Sequence, residues 1–151
     1  GRLTDDFLFS DHSGEILPSI PPHTEAPSVF EYQGMFYLLG SGSSGWAPNA
    51  ARSFKSKNLT GPYEDLGSPC RGINPHNGMG PELTFGAQIS FVLPVPGKLG
   101  AFIALFDIWK PERASDGLYV WLPIFFEKDR PVIEWRNEWD LSIFDRSPSA
   151  W

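Results

Sequence analysis

Two stretches of the chain hold residue types that could do chemistry together. The first, His23 to Ala51, reads HTEAPSVFEYQGMFYLLGSGSSGWAPNAA. It sets a carboxylate, Glu25, ahead of a Gly/Ser-rich loop that runs into Trp46, Pro48 and Asn49. The second places an amide, Gln88, within Phe85-Gly86-Ala87-Gln88-Ile89-Ser90-Phe91. An acid, an aromatic platform and amide groups suit a polar, ring-shaped ligand, and we read that ligand as a sugar. Breaking a glycosidic bond needs a proton for the leaving oxygen, and inversion also needs a group that activates water on the opposite face. Glu25 fits the first role where burial keeps it protonated near neutral pH. Gln88 is almost without basicity, but an amide can position a water or bind a hydroxyl. Each residue also has a plainer reading: Glu25 as a solvated loop residue, Gln88 as a satisfied core amide, Trp46 as a core aromatic. Spacing alone leaves both open.

The elements that must position these residues read as strands. Ser28–Tyr32 and Met35–Gly40 flank Gln33-Gly34, a link suited to a primed hairpin turn. Ala51–Lys57 predicts a third strand and Tyr63–Leu66 a fourth, separated by the turn chemistry of Asn58-Leu59-Thr60-Gly61-Pro62. The order then repeats: Thr84–Leu93, a turn at Pro94–Gly100, Ala101–Ile108, a turn at Asp116-Gly117, Leu118–Phe126, and Pro131–Trp135. Two antiparallel units of four strands, roughly residues 24–68 and 84–136, are written as β-propeller blades are. A two-sheet sandwich fits the strand count as well. If the units are blades, Glu25 and Gln88 occupy corresponding places at the start of innermost strands, which aims both at one pocket. Leu3–Phe7 reads as the tail of an earlier strand, and Trp135–Leu141 as one short helical turn.

Composition agrees with this class. Of 151 residues, 15% are aromatic, and fifteen Gly and fifteen Pro are scattered among apolar runs, the texture of short strands and tight turns. The net charge of −6 argues against a nucleic-acid phosphate backbone as partner, and none is expected. No apolar run approaches the ~20 residues that span a bilayer, so no membrane partner is expected. No basic-then-apolar leader opens the sequence. Cys70 is alone, so no internal disulfide forms. His23 and His76 lack the clustering of a metal site, and no metal or cofactor is expected. Asn58-Leu59-Thr60 fits a glycosylation sequon, a triplet common by chance.

His23-Thr24-Glu25-Ala26-Pro27 followed by Gly45-Trp46-Ala47-Pro48-Asn49 resembles the fourth-blade signature of glycoside hydrolase family 43, in the branch of the exo-β-1,3-galactanases. Gly86–Pro94 resembles that branch's segment around its Gln, and Asp107–Pro111 and Tyr119–Pro123 resemble later motifs in the same order. The resemblance implies an all-β, five-bladed propeller of which this chain supplies about two blades and the end of a third, as one incomplete domain over residues 1–151. It implies inverting hydrolysis of β-linked galactan, with Glu25 as general acid and Gln88 in the place of a carboxylate base, as its imidic-acid tautomer. Trp46 and Asn49 would line the sugar subsite, with Ser43 or Ser44 as a hydroxyl contact and Asp107 and Trp109 as further candidates. Ile89, Gly117 and the Gly/Pro-rich stretch Ile73–Pro81 depart from the branch's pattern. A secreted, periplasmic or extracellular location is also implied.

An open set of about two blades leaves apolar faces and strand edges exposed. The expected partners are therefore a galactose-containing oligo- or polysaccharide and a homo-oligomer or companion chain that completes the propeller. Two further functions remain possible at this point: a galactose-binding module without catalysis, and a structural fragment without ligand.

Overall fold

The computed structural model describes residues 3–9 and 22–145. Nine strands follow one another among them: β1 (Glu25–Tyr32), β2 (Met35–Ser41), β3 (Ala51–Ser56), β4 (Glu64–Gly67), β5 (Cys70–Arg71), β6 (Gln88–Pro94), β7 (Phe102–Ile108), β8 (Leu118–Glu127) and β9 (Arg130–Glu134). They form one sheet of order β1-β2-β3-β4 and a second of order β5-β9-β8-β7-β6. Apart from β5, each sheet takes its strands in chain order as an antiparallel meander. The first strands of the two sheets, β1 and β6, lie against each other. This is the arrangement of adjacent propeller blades rather than of a sandwich, whose Greek-key chain would pass between sheets.

The hairpin between β1 and β2 forms as its sequence predicts. Gln33 and Gly34 both take positive φ, 50° and 73°, the primed turn that matches strand twist. Between the sheets lies one core. Phe30, Tyr37, Leu39 and Ala51 of the first sheet meet Ile89, Val92, Ala104, Phe106, Val120 and Leu122 of the second. Phe30 packs 4.9 Å from Phe102, centroid to centroid, and Tyr32 stacks on Phe126 at 3.9 Å. Cys70 is buried here, and burial pushes its thiol up to about 12, which keeps it protonated and unreactive at neutral pH.

The two blades share a register as well as an order. Glu25 pairs with Ser41, and the next pairing along β1 is Ser28 with Leu39. Gln88 pairs with Asp107, and Phe91 pairs with Leu105. Both inner strands thus take three residues where the partner takes two, a one-residue bulge at the same place.

Several expected boundaries move. The strand expected from Thr84 starts at Gln88, because Pro81–Gly86 winds into a 3₁₀ stretch with Thr84 and Phe85 at positive φ (48° and 62°). Propensity does not foresee this; Thr84 is held there by tertiary hydrogen bonds described below. Leu3 is a single bridge residue and Thr4–Phe9 is a turn, closed by Phe7 N–H to the Thr4 carbonyl at 2.8 Å, so no strand runs to Phe7. The helical turn expected over Trp135–Leu141 lies instead at Leu141–Asp145, because Trp135 continues the extended pairing of its strand, its N–H donating to the Arg71 carbonyl at 2.9 Å. That bond belongs to β5, which pairs parallel to β9 and was too short to read from sequence. Gly14 and Pro18, which in sequence read as part of a polar loop leading to Glu25, lie outside the described residues.

Candidate active site

The loop from Gly42 to Asn49 is shaped by its own last side chain. Asn49 Oδ1 accepts from Gly42 N–H at 2.7 Å, while its Nδ2 donates to the Gly42 carbonyl at 3.0 Å and to the Ser44 hydroxyl. Ser44 in turn donates to the Ala47 carbonyl at 2.6 Å. Both amide hydrogens of Asn49 are therefore spent on the loop, and the residue expected to donate to a sugar instead folds the segment that carries Trp46. Ser43 is exposed on the same loop.

Thr84 fastens this loop to the second blade. Its hydroxyl accepts from Ala51 N–H and donates to the Asn49 carbonyl, each at 2.6 Å, and the side chain is buried. The Phe85 carbonyl receives the side-chain amides of Asn74 and Asn77 at 3.2 and 2.8 Å. These contacts fix the chain immediately ahead of Gln88. Neither Thr84 nor the Asn pair carries a signal in the sequence alone, because each acts on residues distant along the chain or in a left-handed turn.

Gln88 is half-buried. Its Nε2 donates to the Ser41 hydroxyl at 2.7 Å, and its Oε1 accepts from the Trp109 indole N–H at 3.4 Å. With the amide oriented by these two partners, one N–H and one carbonyl lone pair are left for a ligand or water. Trp46 and Trp109 meet edge to face, 5.0 Å apart at 64°, and both are largely exposed. They form an aromatic corner over Gln88. The crevice below it, about 50 Å³, is lined by Ser41, Trp46, Pro48, Asn49, Gln88 and Trp109. That space takes water or a small polar group, while ligand pockets run to ~300 Å³ or more, so a sugar ring would rest on the corner itself.

Glu25 opens β1 directly across from Ser41. The segment before it is gripped by Arg52, whose Nη1 donates to the carbonyls of Pro22 and His23 at 3.1 and 3.3 Å and to Thr24 Oγ1 at 2.7 Å. Gly40 makes the approach possible, since a Cβ there would stand 2.8 Å from Thr24 Cγ2 and 2.9 Å from the Glu25 carbonyl. Glu25 is exposed and does not line the crevice. The burial expected of a proton donor is thus not supplied by the described residues. Asp107, the pairing partner of Gln88, lies half-buried in a separate recess of about 170 Å³, with Trp109 forming the wall between the two.

The structure therefore brings Gln88, Trp46, Trp109 and Asn49 together, and ties Glu25 to them through Ser41. It leaves Ser43 and Ser44 off the crevice and Asp107 behind its wall. Ser41 itself was missed, being one Ser among several in a Gly/Ser run; its signal was the repeat, which sets it level with Asp107. A larger cleft, about 610 Å³, runs beside β8 between Tyr119, Trp121, Trp135 and Trp139, and none of the candidate residues lines it. Among the described residues no three His, Cys, Asp or Glu side chains gather to hold a metal. No helix there is long and apolar enough to cross a membrane.

No protein-family model and no curated protein matches the sequence. Solved structures do match. A GH43 β-1,3-galactosidase with galactodeoxynojirimycin is similar at a TM-score of 0.71 and 35% identity, over 79% of this chain and 33% of its own. A second GH43 β-1,3-galactosidase is similar at 0.75 and 28% identity, over 95% of this chain and 29% of its own. An exo-β-1,3-galactanase from Phanerochaete chrysosporium with β-1,3-galactotriose matches at 0.62 and 27% identity, over 74% of this chain and 24% of its own. The chain spans about a third or less of the length of these relatives.

Proposed function

The chain is exo-β-1,3-galactanase-like, of glycoside hydrolase family 43, and on that premise we propose that it supplies part of an inverting glycosidase acting on β-1,3-galactan or a related galactose-containing polysaccharide. The observation that carries the reading is Gln88, held by Ser41 at 2.7 Å beneath the Trp46–Trp109 corner with hydrogen-bonding capacity to spare. A galactose ring stacked on the corner presents its hydroxyls to that amide. Glu25 is the general acid, delivering its proton to the departing glycosidic oxygen. Gln88 orients the attacking water on the opposite face of the ring, or takes its proton as the imidic-acid tautomer. Further blades, from a companion chain or from additional sequence, cover Glu25 and supply the burial that its acid role requires. A secreted or periplasmic location goes with an extracellular polysaccharide as substrate.

The test is Glu25→Gln. Release of galactose from β-1,3-galactan should collapse while binding of galacto-oligosaccharides by calorimetry largely persists. Unchanged release would remove Glu25 from the acid role. A second reading, a galactose-binding partial propeller without catalysis, is favoured by the exposure of Glu25. It predicts binding in the parent chain and no release of galactose even with the missing blades present. Absence of binding defeats both readings.

A further inference from the structure

Strand β9 pairs with β8 only at Phe125, Phe126 and Glu127, and then pairs with β5 at Ile133 and Glu134. The outer edge of β8 over residues 118–122 therefore has no strand beside it among the described residues. The cleft of about 610 Å³ lies along that edge, within the ~300–1,000 Å³ of ligand pockets. Its far side is this chain's own: Asn74, His76 and Asn77 ahead of β6, and residues 135–139 after β9. These walls need no further sheet.

Two indole rings of the wall are locked in place. Trp135 donates its indole N–H to Asn137 Oδ1 at 2.8 Å, and its ring lies 5.3 Å from Phe85 and 6.5 Å from His76. Trp139 donates to the Trp121 carbonyl at 2.8 Å, and its ring meets Phe144 edge to face. With both N–H groups spent, what these rings offer a ligand is apolar face. Polar groups stand around them: the His76 imidazole, the Tyr119 hydroxyl, the Asn137 side-chain N–H groups, the Lys110 ammonium and the Glu138 carboxylate. Among the described residues no hydrogen bond or ion pair engages any of these five. The strand edge adds backbone groups. The Trp121 carbonyl points away from β7 to meet Trp139, so the N–H and carbonyl of Tyr119, two residues back, point the same way.

We propose that this cleft is a second saccharide site, which holds an uncharged stretch of polysaccharide apart from the Trp46–Trp109 corner. Rigid aromatic faces ringed by hydrogen-bonding groups suit a sugar ring, which is apolar on its faces and polar at its rim. Lys110 and Glu138 contribute one charge of each sign, and Arg136 is paired with Glu134 at 3.1 Å, so nothing favours an anionic ligand. An added peptide strand does not fit, because its ladder needs the Trp121 carbonyl that Trp139 occupies. The cleft and the corner are joined by the recess at Asp107, which shares Trp109 with the crevice at Gln88 and Tyr119 with the cleft. One polysaccharide chain that touches both is retained by effective concentration. That the saccharide is a galactan rests on the function proposed above; the match to an uncharged sugar does not.

The test titrates the whole chain with β-1,3-galactotriose and follows backbone amide shifts residue by residue. Two sets of shifts are expected, one at residues 41–49, 86–88 and 109, the other at residues 74–77, 118–122 and 135–139. Tyr119→Ala and His76→Ala, both at exposed positions, should each weaken the second set about fivefold with the folded spectrum retained. They should leave the first set unchanged, and Trp46→Ala should do the reverse. Asn137→Leu, which releases the Trp135 ring, should weaken the second set, and Asn137→Asp, which keeps the acceptor, should restore it. Shifts confined to the first set, or a second set indifferent to Tyr119→Ala and His76→Ala, overturn the proposal. Shifts in the second set alone uphold it and remove the galactoside corner instead. Absence of both sets overturns the two sites together.

Discussion

The side-chain amide of Gln88 donates to the Ser41 hydroxyl at 2.7 Å, joining the start of β6 to the end of β2 across the seam between the blades. The contact lies where Glu25 faces Ser41 in the first blade, so one buried residue adjoins both candidate catalytic groups, Gln88 through its hydroxyl and Glu25 through strand pairing. Ser41→Ala removes the acceptor and costs about 1 kcal/mol, or a fall in Tm of about 2–4 °C in a thermal melt. Galactoside affinity should fall with it, because Gln88 is then free to turn away from the Trp46–Trp109 corner. A variant that loses stability but binds galacto-oligosaccharide as before would show that Ser41 serves the fold alone.

Thr84 closes the loop of the first blade onto the second with two hydrogen bonds of 2.6 Å, both inside the protein. Thr84→Val keeps the shape and the β-branch but leaves the Ala51 N–H and the Asn49 carbonyl without that partner. We expect a loss of roughly 1–3 kcal/mol in urea denaturation, with Thr84→Ser restoring most of it. Equal stability in the Val and Ser variants would contradict the clamp.

Trp46 and Trp109 are exposed enough that truncation should hardly touch the core. Trp46→Ala and Trp109→Ala should each weaken binding of β-1,3-galactotriose about tenfold by calorimetry, equivalent to about 1.4 kcal/mol, while the melting temperature stays nearly constant. The double variant should lose about as much as one ring more than the single, because the rings stand as two walls of one corner.

Much of this arrangement was legible because it rests on local chemistry. Gln33-Gly34 demands its turn, alternation writes β1 and β2, and the repeat sets Glu25 level with Gln88. What stayed hidden depends on contacts between distant residues. Thr84 takes a left-handed conformation only because Asn49 and Ala51 hold its hydroxyl. Asn49 looked like a ligand donor, yet its amide is consumed by Gly42 and Ser44, which no spacing rule reveals. The two residues of β5 form a strand only because β9 offers an edge. The exposure of Glu25 was equally out of reach, since it depends on what packs over the start of β1 and not on the spacing of the residues around it.

The Lys55 ammonium of β3 bonds Asp129 of the β8–β9 turn and lies 3.2 Å from Glu64, so it pins the outer parts of both blades together. The hydrogen bond from Lys55 holds the Asp129 carboxyl below its ordinary value of 3.8. Its contribution to stability is therefore fully present above that value and is lost as pH falls through the lowered one. The Lys55 ammonium is raised above 10.5, chiefly by the same bond, so its share is present below 10.5 and lost as pH rises through the raised value. Asp129→Asn should flatten the acid limb of a Tm-against-pH curve and only reduce the alkaline limb, where Glu64 still engages Lys55. Salt should narrow the difference between parent and variant. An unchanged acid limb would show that this pair adds nothing to stability.

Gly40 gives the sharpest separation of position from chemistry, because it touches the backbone of Glu25 and not its carboxylate. A methyl group at Gly40 would stand 2.9 Å from the Glu25 carbonyl and 2.8 Å from Thr24 Cγ2, closer than Cβ atoms approach either. Strand β1 must then shift at its first residues, where Arg52 grips the preceding segment and the bulge begins. Overpacking of this kind costs about 1–3 kcal/mol. The more telling consequence is displacement of the acid relative to Ser41 and Gln88. Gly40→Ala should therefore reduce release of galactose more than it reduces galactoside binding, which is carried by the Trp46–Trp109 corner. Val29→Ala, an exposed change further along the same strand, is the control and should leave both nearly intact. Equal losses in binding and release by Gly40→Ala would point to general disorder of the blade instead of a misplaced acid.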